Sequence, residues 1–299
     1  MCRSGVMAAE RTVAQRFEYA TDDDPALSYC LWDYPPPAPR ADKFRSVNLL
    51  FHSFACAGID ARAFTVVDAI RDEIGPFKTV FGVKLIGGKL AWELYFYDYA
   101  RQQRQVSISR VLRAIRGFMP SPVVANENLP YFMFSLDLNE DLASGRVPLD
   151  VVHMYVGNPG STVSSGIAYA VRADSTILEN FYFFFDGRTQ RDEIAKKVST
   201  SGVFDPARVP LDAVFVPQLR DCRTVCVANK RTHDCIYFSG IDIGQFLFFL
   251  ERLRYPEPIV SFMRAHRGDL DHLLFDAGFD YRTENGRLIV LKSGYYGVF

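Results

Sequence analysis

An α+β chain is predicted, a closed antiparallel β-barrel of about ten strands surrounded by helices, and three observations predict it. Strand-like segments come in adjacent pairs joined by turn residues, helical patterns fill most gaps between the pairs, and aromatic residues make up 14% of the sequence, with 25 Phe and 15 Tyr. Many of those aromatics fall inside the strand-like segments, where they suit a pleated, half-buried surface.

The elements follow in chain order. Residues 1–76 form an N-terminal segment, polar to about residue 45 and ending that stretch in YPPPAPR, a stiff extended connector. From Ser53 to Ile74 apolar spacing predicts helix, with Gly58 as a weak point and Gly75-Pro76 as the stop. Residues 77–299 then carry five strand pairs. The first is KTVFGVKLI, a Gly-Gly turn and KLAWELYFYDY; the second pairs LPYFMFSLDL with LDVVHMYVG across NEDLASGRVP. The third joins GIAYAVR to ILENFYFFFD, the fourth RTVCVAN to DCIYFSG across KRTH, and the fifth FDAGFDYRT to RLIVLKSGYYGVF across ENG. Short turns make each pair antiparallel. Helices are expected over Ser107–Phe118, Gln190–Val198, Ile243–Arg254 and from Ile259 to about Leu274. An open ten-stranded sheet would carry two long unpaired edges, so closure is favoured. Ten strands enclose more room than side chains alone fill, and the lumen should hold something.

Composition excludes several classes. Thirty-four basic and 35 acidic residues are intermixed, for a net charge of −1, so no global field draws the chain to nucleic acid or an anionic membrane. The start, MCRSGVMAAERTVAQ, lacks a signal-peptide core, and no apolar run reaches the roughly 20 residues of a membrane helix, which predicts a cytoplasmic protein. Cysteines 2, 30, 56, 222, 226 and 235 contain no C-x-x-C and read as reduced, mostly buried thiols.

Alternation sorts the faces of each strand. In KLAWELYFYDY, Trp92, Leu94 and Phe96 face outward and Glu93, Tyr95, Tyr97 and Tyr99 inward; in LPYFMFSLDL, Phe132, Phe134, Leu136 and Leu138 oppose an inward set of Tyr131, Met133, Ser135 and Asp137. His153 and Tyr155 form the matching inward pair on the next segment. Lys292 shares a face with Val290, Gly294 and Tyr296. A lone buried ammonium must lose its proton or hold an anion. Lys84, Arg172 and Arg231, on other strands or turns, could converge with it on one polyanion, or reach solvent from strand ends.

KLAWELYFYDY, HMYVGNPGSTVSSGIAY and ENFYFFFDG resemble segments of the cyanobactin-type peptide prenyltransferases, whose ABBA, or PT, barrel is wrapped by helices; NKRTHDCIYF and LKSGYYGVF resemble strands of the bacterial aromatic prenyltransferases of the same barrel class. The resemblance runs from about Phe77 to the C-terminus and implies transfer of a C5 or C10 isoprenoid from its diphosphate to a nucleophilic side chain of a macrocyclic ribosomal peptide. It implies Mg²⁺ with the diphosphate, although TDDDPA lacks the last Asp of a D-D-x-x-D motif. It also implies diphosphate binding at Lys292, with Tyr296 lining the same chamber, and a second cation near the eighth strand, either Arg231 or Lys230. Lys84, Arg172 and Tyr237 join that diphosphate-binding set, and Tyr95, Tyr97, Tyr155 and Tyr182 are expected to shield the carbocation. Glu93 or His153 could take the acceptor's proton, or each could serve as a structural partner to a lysine. The carboxylate the resemblance places near the N-terminus would be Glu18. Two other readings keep the barrel: a small indole or phenol acceptor, which can be enclosed where a peptide needs an open end, and a non-catalytic carrier of an apolar ligand, which needs no convergent cations.

Overall fold

A computed structural model describes residues 16–99, 103–158 and 164–299. The whole N-terminal MCRSGVMAAERTVAQ stretch, with Cys2, and the centre of GNPGSTVSSG lie outside the described residues. Two helices, α1 (Val47–Ala57) and α2 (Arg62–Ile74), precede β1 (Thr79–Ile86) and β2 (Lys89–Tyr97). Then come α3 (Ile108–Ile115), β3 (Tyr131–Leu138), α4 (Glu140–Ala143), β4 (Val152–Gly157), β5 (Ser165–Val171) and β6 (Thr176–Asp186). The chain continues through α5 (Arg191–Ser199), β7 (Thr224–Lys230), β8 (Asp234–Ile241), α6 (Ile243–Arg252), α7 (Glu257–Ala265) and α8 (Arg267–Leu270), and finishes with β9 (Phe275–Glu284) and β10 (Arg287–Val298). All ten strands are antiparallel to their neighbours, each expected hairpin forms, and β1 pairs with β10 to close the barrel. No helix among the described residues is long and apolar enough to cross a membrane.

Turn chemistry explains the hairpins. Gly87 and Gly88 (φ 55° and 81°) and Asn285 and Gly286 (φ 50° and 74°) supply the two successive positive φ angles of a tight two-residue turn. Gly58, at φ 62°, ends α1, so the helix expected from Ser53 to Ile74 is two helices. The last predicted helix is also shorter, α7 stopping at Ala265.

Two apolar layers result. Outside the sheet, Trp92, Leu94, Phe96, Phe134 and Tyr295 pack under the helices; Phe54 of α1 lies 5.0 Å from Trp92, and the Trp92 indole donates to Ser53 Oγ at 2.7 Å. Inside, Tyr95, Tyr97, Met133, Tyr155 and Tyr296 form a separate cluster.

Bulges overturn three facing assignments. Between Tyr131 and Met133 the register of β3 shifts, so Tyr131 packs outward with Phe134 and Phe132 joins the inner cluster. Between Val290 and Lys292 it shifts again: Val290 pairs with the outward Tyr281 and is 45% exposed, while Lys292 pairs with Asp280. Tyr99 lies beyond the end of β2 and is a half-exposed rim residue, its hydroxyl donating to the Cys30 carbonyl at 2.7 Å.

Candidate active site

All five hairpin turns lie at one end of the barrel, and the last inner residues before them are charged. Lys84 on β1 donates to Asp137 at 2.9 Å and to Glu93. Glu93 also accepts from Tyr95 at 2.7 Å and from Ser135. Asp137 lies 3.2 Å from His153 Nε2, and His153 Nδ1 lies 2.7 Å from Glu179. Glu179 enters this network because a bulge against Ala168 and Tyr169 places it in the register break of β6. Farther round, Asp280 accepts from Lys230 at 2.9 Å and from His233 at 3.0 Å, with Lys292 Nζ at 3.5 Å.

These charges set one another's protonation. Burial alone would lower the Lys84 ammonium, but the Glu93 and Asp137 charges hold it above its ordinary value. Burial would raise the Glu93 and Asp137 carboxyls; the Lys84 and His153 charges together outweigh it and lower both. His153, which burial would deprotonate, is raised to about 10 by Asp137 and Glu179, so both ring nitrogens donate. Burial and repulsion from Lys230 push Lys292 below the usual lysine range, against the pull of Asp280. The network therefore has two arcs of unequal sign: three carboxylates with Lys84 and protonated His153 on β1–β6, and one carboxylate with Lys230, Lys292 and His233 on β7–β10.

Beyond this charged layer the inner face is aromatic. Tyr95 and Tyr296 have ring centroids 5.8 Å apart, Tyr155 and Tyr182 5.8 Å, and Tyr237 and Tyr296 6.0 Å. Glycines make room for them: a Cβ on Gly82 would lie 2.8 Å from the Tyr296 ring. A short strap from the N-terminal segment closes part of this end. Leu27 bridges Asp33, and Tyr29 between them packs edge-on against Tyr296 at 4.8 Å and Tyr95 at 5.6 Å. What remains is a cavity of about 240 Å³ walled by the tyrosines with Phe132, Cys226 and Asp276, its rim carrying half-exposed Trp32 and Tyr99.

Of the residues singled out from sequence, Lys84, Glu93, His153 and Lys292 meet in the charged layer, and Tyr95, Tyr97, Tyr155, Tyr182, Tyr237 and Tyr296 meet in the chamber. Arg172 does not join them; it follows the end of β5, in an exposed ion pair with Asp150. Arg231 sits exposed in the β7–β8 turn, and the neighbouring Lys230 is the buried cation instead. Glu18 belongs to the helical layer outside the sheet. There, burial would raise its carboxyl, but a 2.6 Å bond from Arg71, with Arg16 and Arg45 close by, holds it below the ordinary value. Sequence reasoning missed Asp280 and Asp276, although FDAGFDYRT puts both on one face by alternation, and Glu179, which only the bulge turns inward. The strap carried no signal beyond its own aromatics. Of the cysteines, Cys30, Cys56, Cys222, Cys226 and Cys235 are free thiols, the last three buried.

Glu93, Asp137 and His153 bring one ligand atom each within 4.8 Å of one another. They do not fit a resident magnesium ion as arranged, because the Lys84 ammonium already bridges the two carboxylates and a protonated imidazole has no lone pair to offer. No family model and no curated protein matches this chain.

Proposed function

We propose that the chain is a prenyltransferase, moving a C5 or C10 isoprenoid from its diphosphate to a nucleophilic side chain of a peptide, with the magnesium arriving as the donor's counter-ion. The observation that carries this reading is the division of one lumen into a charged layer of two unequal arcs and a tyrosine-walled chamber beside it. An allylic diphosphate has the same two parts. Its anionic head suits Lys230 and Lys292, the arc with cations to spare, and Lys292 is the cation held least closely. Its apolar tail suits the chamber.

The chemistry follows the division. The allylic carbon–oxygen bond breaks and its electron pair leaves with the diphosphate, where fixed ammonium groups stabilise the developing charge. Each tyrosine face then stabilises the carbocation by about 0.5–2 kcal/mol and keeps out water that would quench it. The burial-raised tyrosine hydroxyls stay neutral donors throughout. Glu93 and His153 are poor proton acceptors in this arrangement, one a salt-bridged carboxylate and the other already protonated.

The test incubates the purified chain with dimethylallyl and geranyl diphosphate and a panel of cyclic peptides, and locates added mass by fragmentation. Added mass on one residue type supports the reading. No added mass and no diphosphate release with either donor would overturn it. A small indole or phenol acceptor is a second reading, favoured by a cavity of only about 240 Å³, and belongs in the same panel.

A further inference from the structure

We infer that the aromatic chamber recognises a planar organic cation, a guanidinium, with Asp276 as its counter-charge. Asp276 lies on the inner face of β9 at the chamber end, in register with Tyr296 on one side and Ser239 on the other. It is buried, and all its partners are neutral: Oδ1 accepts from Ser239 Oγ and from Gly240 N at 3.1 Å, and Oδ2 from Tyr29 N at 2.8 Å. Among the described residues no lysine, arginine or histidine makes an ion pair with it. Arg223, the cation whose field reaches it, donates instead to the Asp33 carbonyl at 3.3 Å.

Four other buried carboxylates are treated differently, while Asp234, which does not line this cavity, also makes no ion pair among the described residues. Glu93 and Asp280 face lysines, and Asp24 and Asp98 face arginines. An ionised carboxylate accepts about four hydrogen bonds, so three neutral donors leave Asp276 with both an unfilled acceptor site and an unbalanced charge. The cavity beside it supplies what a cation needs on its other sides. Tyr97, Tyr155, Tyr182, Tyr237 and Tyr296 surround the space, and the buried Tyr97 hydroxyl has no hydrogen-bond partner there. Aromatic faces attract cations, and a guanidinium stacks on them while giving planar N–H donors to a carboxylate; an ammonium is more strongly hydrated and does neither as well. Burial raises the Asp276 carboxyl to about 6, which leaves it ionised at neutral pH and in want of a positive partner.

If the chain is a transferase, this makes arginine the acceptor side chain: one guanidinium N–H proton passes to Asp276, the freed nitrogen pair bonds to the allylic carbon, and the carbon–oxygen electron pair leaves with the diphosphate; that role rests on the reading above, and the recognition itself does not. The experiment uses the full chain without donor. Two cyclic peptides identical except for arginine or citrulline at one position are titrated calorimetrically, citrulline keeping the shape and losing the charge. The arginine peptide is expected to bind at least tenfold more tightly, and Asp276→Asn to bring it to the citrulline value while leaving citrulline binding unchanged. Equal affinity of the two peptides, binding of neither, or an arginine preference that survives Asp276→Asn would overturn the inference. Should that variant not fold, competition between N-acetyl-arginine methylamide and its citrulline analogue on the unmodified chain decides the matter alone. Transfer of a prenyl group to peptides without any arginine preference would sink this inference and spare the transferase reading; arginine binding without transfer would do the reverse.

Discussion

The two halves of the lumen are built on the same strands and behave oppositely. Walking along β10 from the hairpin end, the inner face goes from Lys292 to Tyr296; along β2 it goes from Glu93 to Tyr95 and Tyr97; along β9 it goes from Asp280 to Asp276. At the hairpin end each inner carboxylate has a cation, and Lys292 is the loosely held one, 3.5 Å from an Asp280 already bonded to Lys230. At the chamber end Asp276 has only neutral donors, and the Tyr97 hydroxyl has none of the bonds it could make. The difference teaches that charge density by itself does not mark where a ligand is wanted. The Lys84 arc, compensated within itself, is costly to break and costly to enter, whereas a buried group lacking its complement, Asp276 in the chamber or the loosely paired Lys292 beside it, is an interaction waiting for a partner.

The comparison predicts that the charged layer bears on stability and the chamber on selectivity, and several measurements can break it. Lys84→Ala leaves Glu93 and Asp137 without their shared cation, and should cost about 3–5 kcal/mol in a denaturant titration; a loss under about 1 kcal/mol would mean the layer is not the stabilising unit it looks. Gly278→Ala comes next. A Cβ there would lie 2.7 Å from the Ile236 carbonyl oxygen and crowd the Tyr237 ring, so about 1–3 kcal/mol of stability should go, with an altered chamber.

The pH dependence has a definite sign. With its folded pKa raised to about 10 from an ordinary value near 6.5, His153 contributes stability that is fully present below about pH 6.5 and is lost as pH climbs through 10. His153→Gln should flatten that decline when melting temperature is followed from pH 6 to 10, and an unchanged slope would refute the assignment. Lys292→Ala should disturb stability least, by about 1 kcal/mol or less, since its ammonium is loosely paired and partly exposed. Under the proposed function it should nonetheless lower prenyl transfer tenfold or more, and Tyr296→Ala should raise the share of hydrolysed isoprenol; wild-type turnover in the first and an unaltered product ratio in the second would each contradict the donor placement. Transfer should also stop in excess chelator, and full activity there would remove magnesium from the donor.

Much of this was legible from residues alone. Period-two alternation and the Gly-Gly and Asn-Gly turns specify the paired strands, and the need to bury ten strands' edges specifies closure. Facing assignments held wherever the ladder is regular, as for Glu93, Tyr95, Tyr97, His153 and Tyr155, and failed at bulges, where one extra residue puts the two sides of the strand out of phase, so that Tyr131 and Val290 face away from the residues that follow them. Arg172 and Lys84 look equally eligible in sequence. One stands at the last turn before solvent and the other two residues inside the rim, a difference of a few ångströms that separates an exposed pair from a buried network.

Local chain chemistry therefore determined the architecture, the direction of most inner side chains and the presence of positive charge among tyrosines, because each depends on neighbours one to four positions away. Which carboxylate meets which lysine, that Lys230 rather than Arg231 enters the barrel, and that Tyr29 comes from over 200 residues away to cap Asp276 were decided only by tertiary structure. Those contacts depend on barrel closure and on bulge positions, and such distances in space are not written in any short run of sequence.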